Sequence, residues 1–278
     1  LPLFFWFFYI TAVLGKSDSW AMTKDHDINI ERLPEYQHDT DKSIYRNKVK
    51  SRNRYNWRIL YKYSDILVSS DKDVGDRLKK LVKEVYSILE SHIKENPSFQ
   101  KSLSPVKSKI KYHPVIKKMC AKSAVFNVGP MATVAGAVCD FVAYGLDGLC
   151  SCLIIENGGD VFLKSDRDIN LGVYLKNKHF ADKLYLRVRK DDMPCGLCSS
   201  SGSFGHSLSM GKSDLVTVLA ESAISADGAA TSAANSINTS EDISRTINSF
   251  KTIKDVRGIL IVKDDKLGIW GNIELIKS

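Results

Sequence analysis

The sequence predicts an α+β fold with a largely antiparallel sheet, and three observations carry that expectation. Helical and strand-like segments mix along the chain without the strict alternation that builds a parallel sheet. The strands of the second half are short, and tight turn residues such as Gly158-Gly159 and Asp264-Asp265 follow them. Two runs of small residues, Met131 to Ala143 and Ser225 to Ser236, read as helices buried on every side. Their similarity hints at an internal duplication. With 278 residues, 44% hydrophobic and 26% charged, the chain can bury a real core, which excludes collagen-like and disordered classes.

Leu1 to Leu14 is apolar throughout, yet shorter than the roughly 20 residues that span a bilayer. It reads as a clipped signal sequence, or as translation from upstream of a true start at Met22. The second reading is preferred, because no small-x-small cleavage site and no lipobox cysteine follows. On that basis residues 1–43 are expected to be a mobile leader and 44–278 the folded domain, in the cytoplasm, with export as the alternative. Residues 16–43 are polar and unpatterned. No later segment is long and apolar enough to span a membrane.

The net charge of +8 is concentrated between Lys42 and Tyr63, where eight Lys or Arg occur without an acid. Arg46, Lys48, Lys50, Arg52, Arg54, Arg58 and Lys62 fall on even positions, and Tyr55, Trp57, Ile59, Tyr61 and Tyr63 on odd ones. That period of two predicts a half-buried strand with its aromatic face inward. Leu78, Leu81, Val82, Val85, Ile88, Leu89 and Ile93 predict an amphipathic helix, with Asp71 or Asp73 near its start and Pro97 stopping it. A second helix is expected from Pro114 until Gly129-Pro130 interrupts it. Then come strands at 152–156, 161–164, 171–175, 184–188 and 215–219, an amphipathic helix marked by Ile243, Ile247 and Phe250, and a terminal hairpin from Gly258 to Ile276.

Six cysteines are too few for a disulfide scaffold in a chain this long, and four lie in apolar or small-residue runs. Cys195-Gly-Leu-Cys198 has metal or redox spacing but lacks the second pair that a zinc site needs, so reduced thiols are expected. Gly205 to Ser213 imitates a P-loop, with one residue too many and a strand where a helix must open, and an NTPase reading is rejected.

Four segments could carry chemistry: Val128 to Gly136, Glu156-Asn157-Gly158-Gly159-Asp160, Ser199 to Ser207, and Ala226-Asp227-Gly228-Ala229-Ala230-Thr231. Bare backbone admits a ligand to main-chain N–H groups, and hydroxyls offer donors to phosphate oxygens. Asp227 and Thr231, four apart, share a helix face. His206 could act as a general base, its ordinary pKa lying near neutrality, although a lone loop histidine is more often a plain hydrogen-bonding residue.

In this order, together with Ser64-Asp65-Ile66-Leu67-Val68 and Asn96-Pro97-Ser98-Phe99, these segments resemble the ApbE-like superfamily over roughly Tyr45 to Leu275, and most closely its small uncharacterised branch. The resemblance implies a T-fold-like structure that binds FAD, with Mg²⁺ assisting cleavage of its pyrophosphate and FMN passing to a protein Ser or Thr. It implies Asp227 and Thr231 as Mg²⁺ ligands with a backbone carbonyl near Val134. It implies Met131, Ala132, Glu156, Asn157, Gly158, Gly159 and Asp160 as residues along the flavin nucleotide, and Ser201, Gly202 and His206 as the loop over the diphosphate. Two departures from the transferases stand out: Ala135 replaces a lysine before Gly136, and no His-x-x-Asp-Pro loop follows His206. These predict that flavin binding outlasts flavin transfer. The expected partner is a flavin nucleotide, and a homo-oligomer is compatible with the sequence. Two alternatives stay open: a T-fold pocket for a pterin or purine gripped by Glu156, and an RNA-binding module on the basic strand 46–62. The neutral remainder of the chain and the inward aromatics argue against nucleic acid.

Overall fold

The computed structural model describes residues 28–33, 55–175, 177–180, 183–202 and 211–276. The chain forms a nine-stranded sheet with helices on one face and a three-stranded sheet on the other. The strands are β1 (Asn29–Leu33), β2 (Tyr55–Tyr61), β3 (Ser64–Ser70), β4 (Leu153–Asn157), β5 (Asp160–Lys164), β6 (Ile169–Tyr174), β7 (Lys183–Val188), β8 (Cys195–Ser200), β9 (Leu215–Ala220), β10 (Val256–Lys263), β11 (Lys266–Gly271) and β12 (Glu274–Ile276). The large sheet runs β1-β2-β3-β4-β5-β8-β9-β10-β11 and the small one β12-β7-β6, with every neighbouring pair antiparallel. The helices are α1 (Gly75–Glu95), α2 (Pro97–Lys101), α3 (Pro114–Val125), α4 (Val134–Gly145), α5 (Ala223–Asn235) and α6 (Asp242–Phe250).

Period-two alternation sorts the strands between two cores. Leu153 and Ile155 of β4, Val216 and Val218 of β9, and Ile259 and Ile261 of β10 face the helices. Ile154, Leu215, Leu219, Leu260 and Val262 face the small sheet, against Leu171, Leu186 and Val188. Strands covered on both faces lose their polar positions, which is why β9 is buried at all six residues.

The basic strand is β2, with Trp57 and Ile59 buried toward the helices as its odd positions predict. The alternation ends earlier than expected: Lys62 and Tyr63 form the turn to β3, Lys62 has φ 52, and Tyr63 is 60% exposed. Arg58 forms a two-point ion pair with Asp65 on β3, and Lys62 pairs with Glu90 on α1. Arg46 to Arg54 lie outside the described residues, as does the apolar segment at 1–14.

The observed elements differ from the expected ones at four further places. Within the unpatterned stretch 16–43, Asn29–Leu33 pairs with β2, and Ile28 is buried; five residues are too few to display a period. The helix read from Met131 starts at Val134, because Pro130–Thr133 is a 3-10 turn closed by Thr133 Oγ1 donating to the Pro130 carbonyl. The terminal hairpin ends at Gly271, and Glu274–Ile276 crosses to pair with β7. β8 has no counterpart among the expected strands, since Cys195-Gly-Leu-Cys-Ser-Ser lacks β-branched residues. No single helix among the described residues is long and apolar enough to cross a membrane.

Candidate functional site

α4 and α5 are built almost wholly from small and apolar residues, so their backbones approach closely. A Cβ on Gly136 would lie 2.3 Å from the Ala223 carbonyl oxygen, and one on Gly196 of β8 would lie 2.4 Å from the Ala223 Cα. The first turn of α5 is thus wedged between α4 and the sheet.

At this crossing two buried aspartates hold each other's helices. Asp140 on α4 accepts hydrogen bonds from the N–H groups of Ala223 (3.0 Å) and Ile224 (3.1 Å) at the start of α5. Asp227 on α5 accepts from Gly136 N–H (3.0 Å) and from Ala135 N–H at the start of α4. The first N–H groups of a helix have no partner inside it, and they favour negative charge. Burial still dominates both groups. It pushes Asp227 up to about 7, against the pull of the Gly136 and Ala135 amides and with the Asp140 charge adding to the rise. It pushes Asp140 up to about 6, against the Ile224 and Ala223 amides and the more distant Lys118 and Lys122.

Asp160, at the start of β5, joins the group from the sheet side. Burial, followed by the nearby Asp227 charge, holds its carboxyl well above the usual range, while the Cys198 thiol bonded to it pulls the other way. Cys139 Sγ donates to the Asp160 carbonyl (3.5 Å), and Cys198 Sγ to the Ala223 carbonyl (3.4 Å). Burial and the adjacent carboxylates raise both thiols far above their ordinary pKa, so they are protonated at neutral pH. All six cysteines are free and buried.

The other expected residues arrange themselves around this centre. Gly158 and Gly159 form the β4–β5 turn with φ 68 and 102, a conformation that side chains with a Cβ resist. Glu156 Oε1 accepts from Gly159 N–H (2.8 Å) and so braces this turn. Asn157 is buried and pairs with Asp160 across the hairpin. Met131 and Ala132 lie half-buried in the 3-10 turn, and Val134 opens α4 beside Thr133, whose methyl meets Gly228 of α5. Ser201 and Gly202 stand apart from Asp227. Gly202 N–H donates to the Ser213 carbonyl (2.9 Å), its Cα lies against Gly211, and Gly211 packs on Ala234 near the far end of α5. That is about two helical turns from Asp227. Lys212, the nearest basic residue after the loop, is exposed at this same end. His206 lies outside the described residues.

Thr231 is 4% exposed, one turn after Asp227, and among the described residues its hydroxyl has no hydrogen-bond partner. A buried helical hydroxyl ordinarily bonds back to its own helix, as Ser123 does to the Cys120 carbonyl in α3. Among the described residues no three His, Cys, Asp or Glu side chains are grouped to hold a metal. The donors present, one carboxylate, one unengaged hydroxyl and nearby backbone carbonyls, are all oxygens. They suit Mg²⁺, which takes few protein ligands and keeps the rest of its shell for water and phosphate. Asp140 and the two thiols are the residues that sequence reasoning missed. Asp140 is the sole charged residue between Ser123 and Leu146, and a lone charge in an apolar helix must find partners in the fold.

A family model described as AbpE bacteria matches residues 46–262. A UPF0280 protein of Methanocaldococcus jannaschii is 34% identical over 228 residues, 80% of this chain and 93% of that one. A UPF0280 protein of Methanothermobacter thermautotrophicus is 37% identical over 206 residues, 72% and 76% of the two chains. Among solved structures, a flavin transferase ApbE from Vibrio cholerae superimposes with a TM-score of 0.50 at 12% identity, over 76% of this chain and 94% of that one. At that identity the likeness is one of fold.

Proposed function

The chain belongs to the AbpE bacteria family within the ApbE-like superfamily, and from that premise we propose that it binds a flavin nucleotide, FAD, with Mg²⁺ at the crossing of α4 and α5. The observation that carries the reading is the Thr231 hydroxyl one turn after Asp227, which makes no hydrogen bond among the described residues in a residue only 4% exposed. The Vibrio cholerae neighbour, by its name a flavin transferase, supplies the ligand class.

In this reading Asp227, Thr231 and a backbone carbonyl near Val134 hold the ion. When bound, Mg²⁺ would neutralise charge on the diphosphate oxygens and so favour breaking a P–O bond of the bridge between the two phosphates. The chain's own residues do the positioning. The rigid Gly158-Gly159 turn, with no Cβ in the way, presents bare backbone to the flavin or ribose, and Asp160 borders it. Asp140 holds the first turn of α5 and thereby the register of Asp227 and Thr231. No lysine stands at Ala135, and Lys212 lies at the opposite end of α5. Positioned positive charge counts for more in the transition state of diphosphate cleavage than in the bound ground state. Binding of FAD with slow or absent transfer of FMN to a Ser or Thr peptide is therefore the expected behaviour.

Thr231→Val tests this, because the near-isosteric change removes a hydroxyl that the fold does not use. FAD affinity measured by fluorescence with and without Mg²⁺ should show a Mg²⁺-dependent gain in the parent and a loss of roughly tenfold of that gain in the variant, the size of one missing polar contact. Asp227→Asn should lose it as well. Equal FAD affinity with and without Mg²⁺ in all three proteins removes the metal from the account, and efficient covalent flavinylation of an acceptor peptide overturns the reading of the departures.

A further inference from the structure

From Asn96 to Cys139 the chain carries seven lysines and no Asp or Glu. Four of them, Lys101, Lys107, Lys109 and Lys111, fall within eleven residues at the end of α2 and in the connection to α3. All four are exposed, and none forms an ion pair among the described residues. Elsewhere on the surface Arg58, Lys122 and Lys164 are paired with carboxylates.

The connection is fixed in place from beneath. Tyr112 is buried, its ring packs edge-on against His92 (4.4 Å between centroids), and its hydroxyl donates to Asn96 Oδ1 (3.4 Å). The Ser102 carbonyl lies where a Cβ on Gly129 would fall, 1.9 Å away, so the start of the connection is clamped as well. Tyr112 N–H donates to the Lys109 carbonyl (3.0 Å), which closes a tight turn and puts Ile110 and Lys111 at its two corners. Ile110 is 96% exposed, and Leu103 in the same connection is 65% exposed. An anchored turn therefore displays an aliphatic side chain at its corner, flanked by two exposed lysines without an ion pair among the described residues, Lys109 lying over the Tyr112 ring (5.9 Å).

We infer that this connection, 101–111, docks on an anionic bilayer surface, with Ile110 entering the boundary between headgroups and acyl chains. Four lysines are enough to bind anionic headgroups through charge, and an apolar side chain among them adds burial in the interface. The geometry favours this occupant over others. A convex corner offers no groove for a peptide, and an aliphatic residue offers no face on which a nucleobase can stack. The inference is independent of what the α4–α5 crossing binds.

Flotation of the full chain with phosphatidylcholine vesicles, with and without added phosphatidylserine, tests it. The parent should partition to phosphatidylserine vesicles, less so as salt rises. Lys109→Glu/Lys111→Glu should lower that partition by more than tenfold, since each lysine contributes about fivefold. Ile110→Ser should lower it by roughly fivefold. Thermal midpoints should not change, because these side chains are exposed. Equal partition to both vesicle types overturns the inference, as does unchanged partition of the variants. So does loss in Ile110→Ser of a concentration-dependent dimer, or capture of single-stranded RNA or a polyglutamate peptide in preference to the vesicles.

Discussion

The two faces of the nine-stranded sheet are buried to a similar depth but by different means. Toward the small sheet the core is Leu, Ile, Val and Cys, with the neutral pair Thr217–Ser199 (2.9 Å) between β9 and β8. Toward the helices the core also takes in Asp140, Asp227, Thr231, Ser123, Ser225 and Thr133. A core of aliphatic and neutral groups does not change with pH in the ordinary range. A core that encloses carboxylates relies on helix amides to hold them and keeps part of their desolvation cost, so its stability follows proton activity. The polar face is also where α4, α5 and the start of β5 meet, so its buried carboxylates mark where this fold accepts desolvation cost.

The largest effect that can test this contrast comes from the aliphatic face. Leu186 is fully buried, and Leu186→Ala should cost about 2–5 kcal/mol. Denaturant melts at acid and neutral pH should give the same loss; a loss that changed with pH would mean that titrating groups reach this cluster.

Next is the polar face, where Asp140 predicts a slope. Its pKa of about 6 in the folded chain stands above the 3.8 of a free aspartate, so the folded state binds the proton more tightly. The contribution is fully present below 3.8 and is lost as pH rises through about 6. It amounts to about 2–3 kcal/mol at most, by the shift of some two units. Urea midpoints measured across that window should show a flatter profile for Asp140→Asn than for the parent. Superimposable profiles would show that Asp140 does not carry the charge burial assigned to it.

The smallest effect, of opposite sign, concerns His92. Its ring is packed edge-on between Phe99 and Tyr112, and Nε2 has no partner among the described residues. Burial lowers its pKa from 6.5 and Lys109 lowers it further, with Glu95 opposing. The stability it lends is complete above 6.5 and lost as pH falls through the lower folded value. His92→Leu should remove that acid-side loss. An undiminished loss in the variant would place its origin elsewhere.

Local pattern alone determined a good deal of this protein. The α+β class, the inward face of β2, the amphipathic α1, the glycine turn before Asp160 and the burial of α4 and α5 are properties of short segments. Periods of two and 3.6 and the conformational freedom of glycine act within a few residues. The same locality explains why Asp227 and Thr231 could be paired from sequence, as they share one helix. What only the tertiary structure decided are relations between distant segments. Asp140 caps a helix that begins 83 residues later, Asp227 holds the Gly136 amide 91 residues earlier in the first turn of α4, and Cys198 reaches Asp160 across strands β5 and β8. Nor could pattern place Ser201 and Gly202 at the far end of α5, or turn Glu156 back onto its own hairpin. Each depends on which backbones approach at bare positions such as Gly136, Gly196 and Gly211, and that choice is made by the packing of the whole chain.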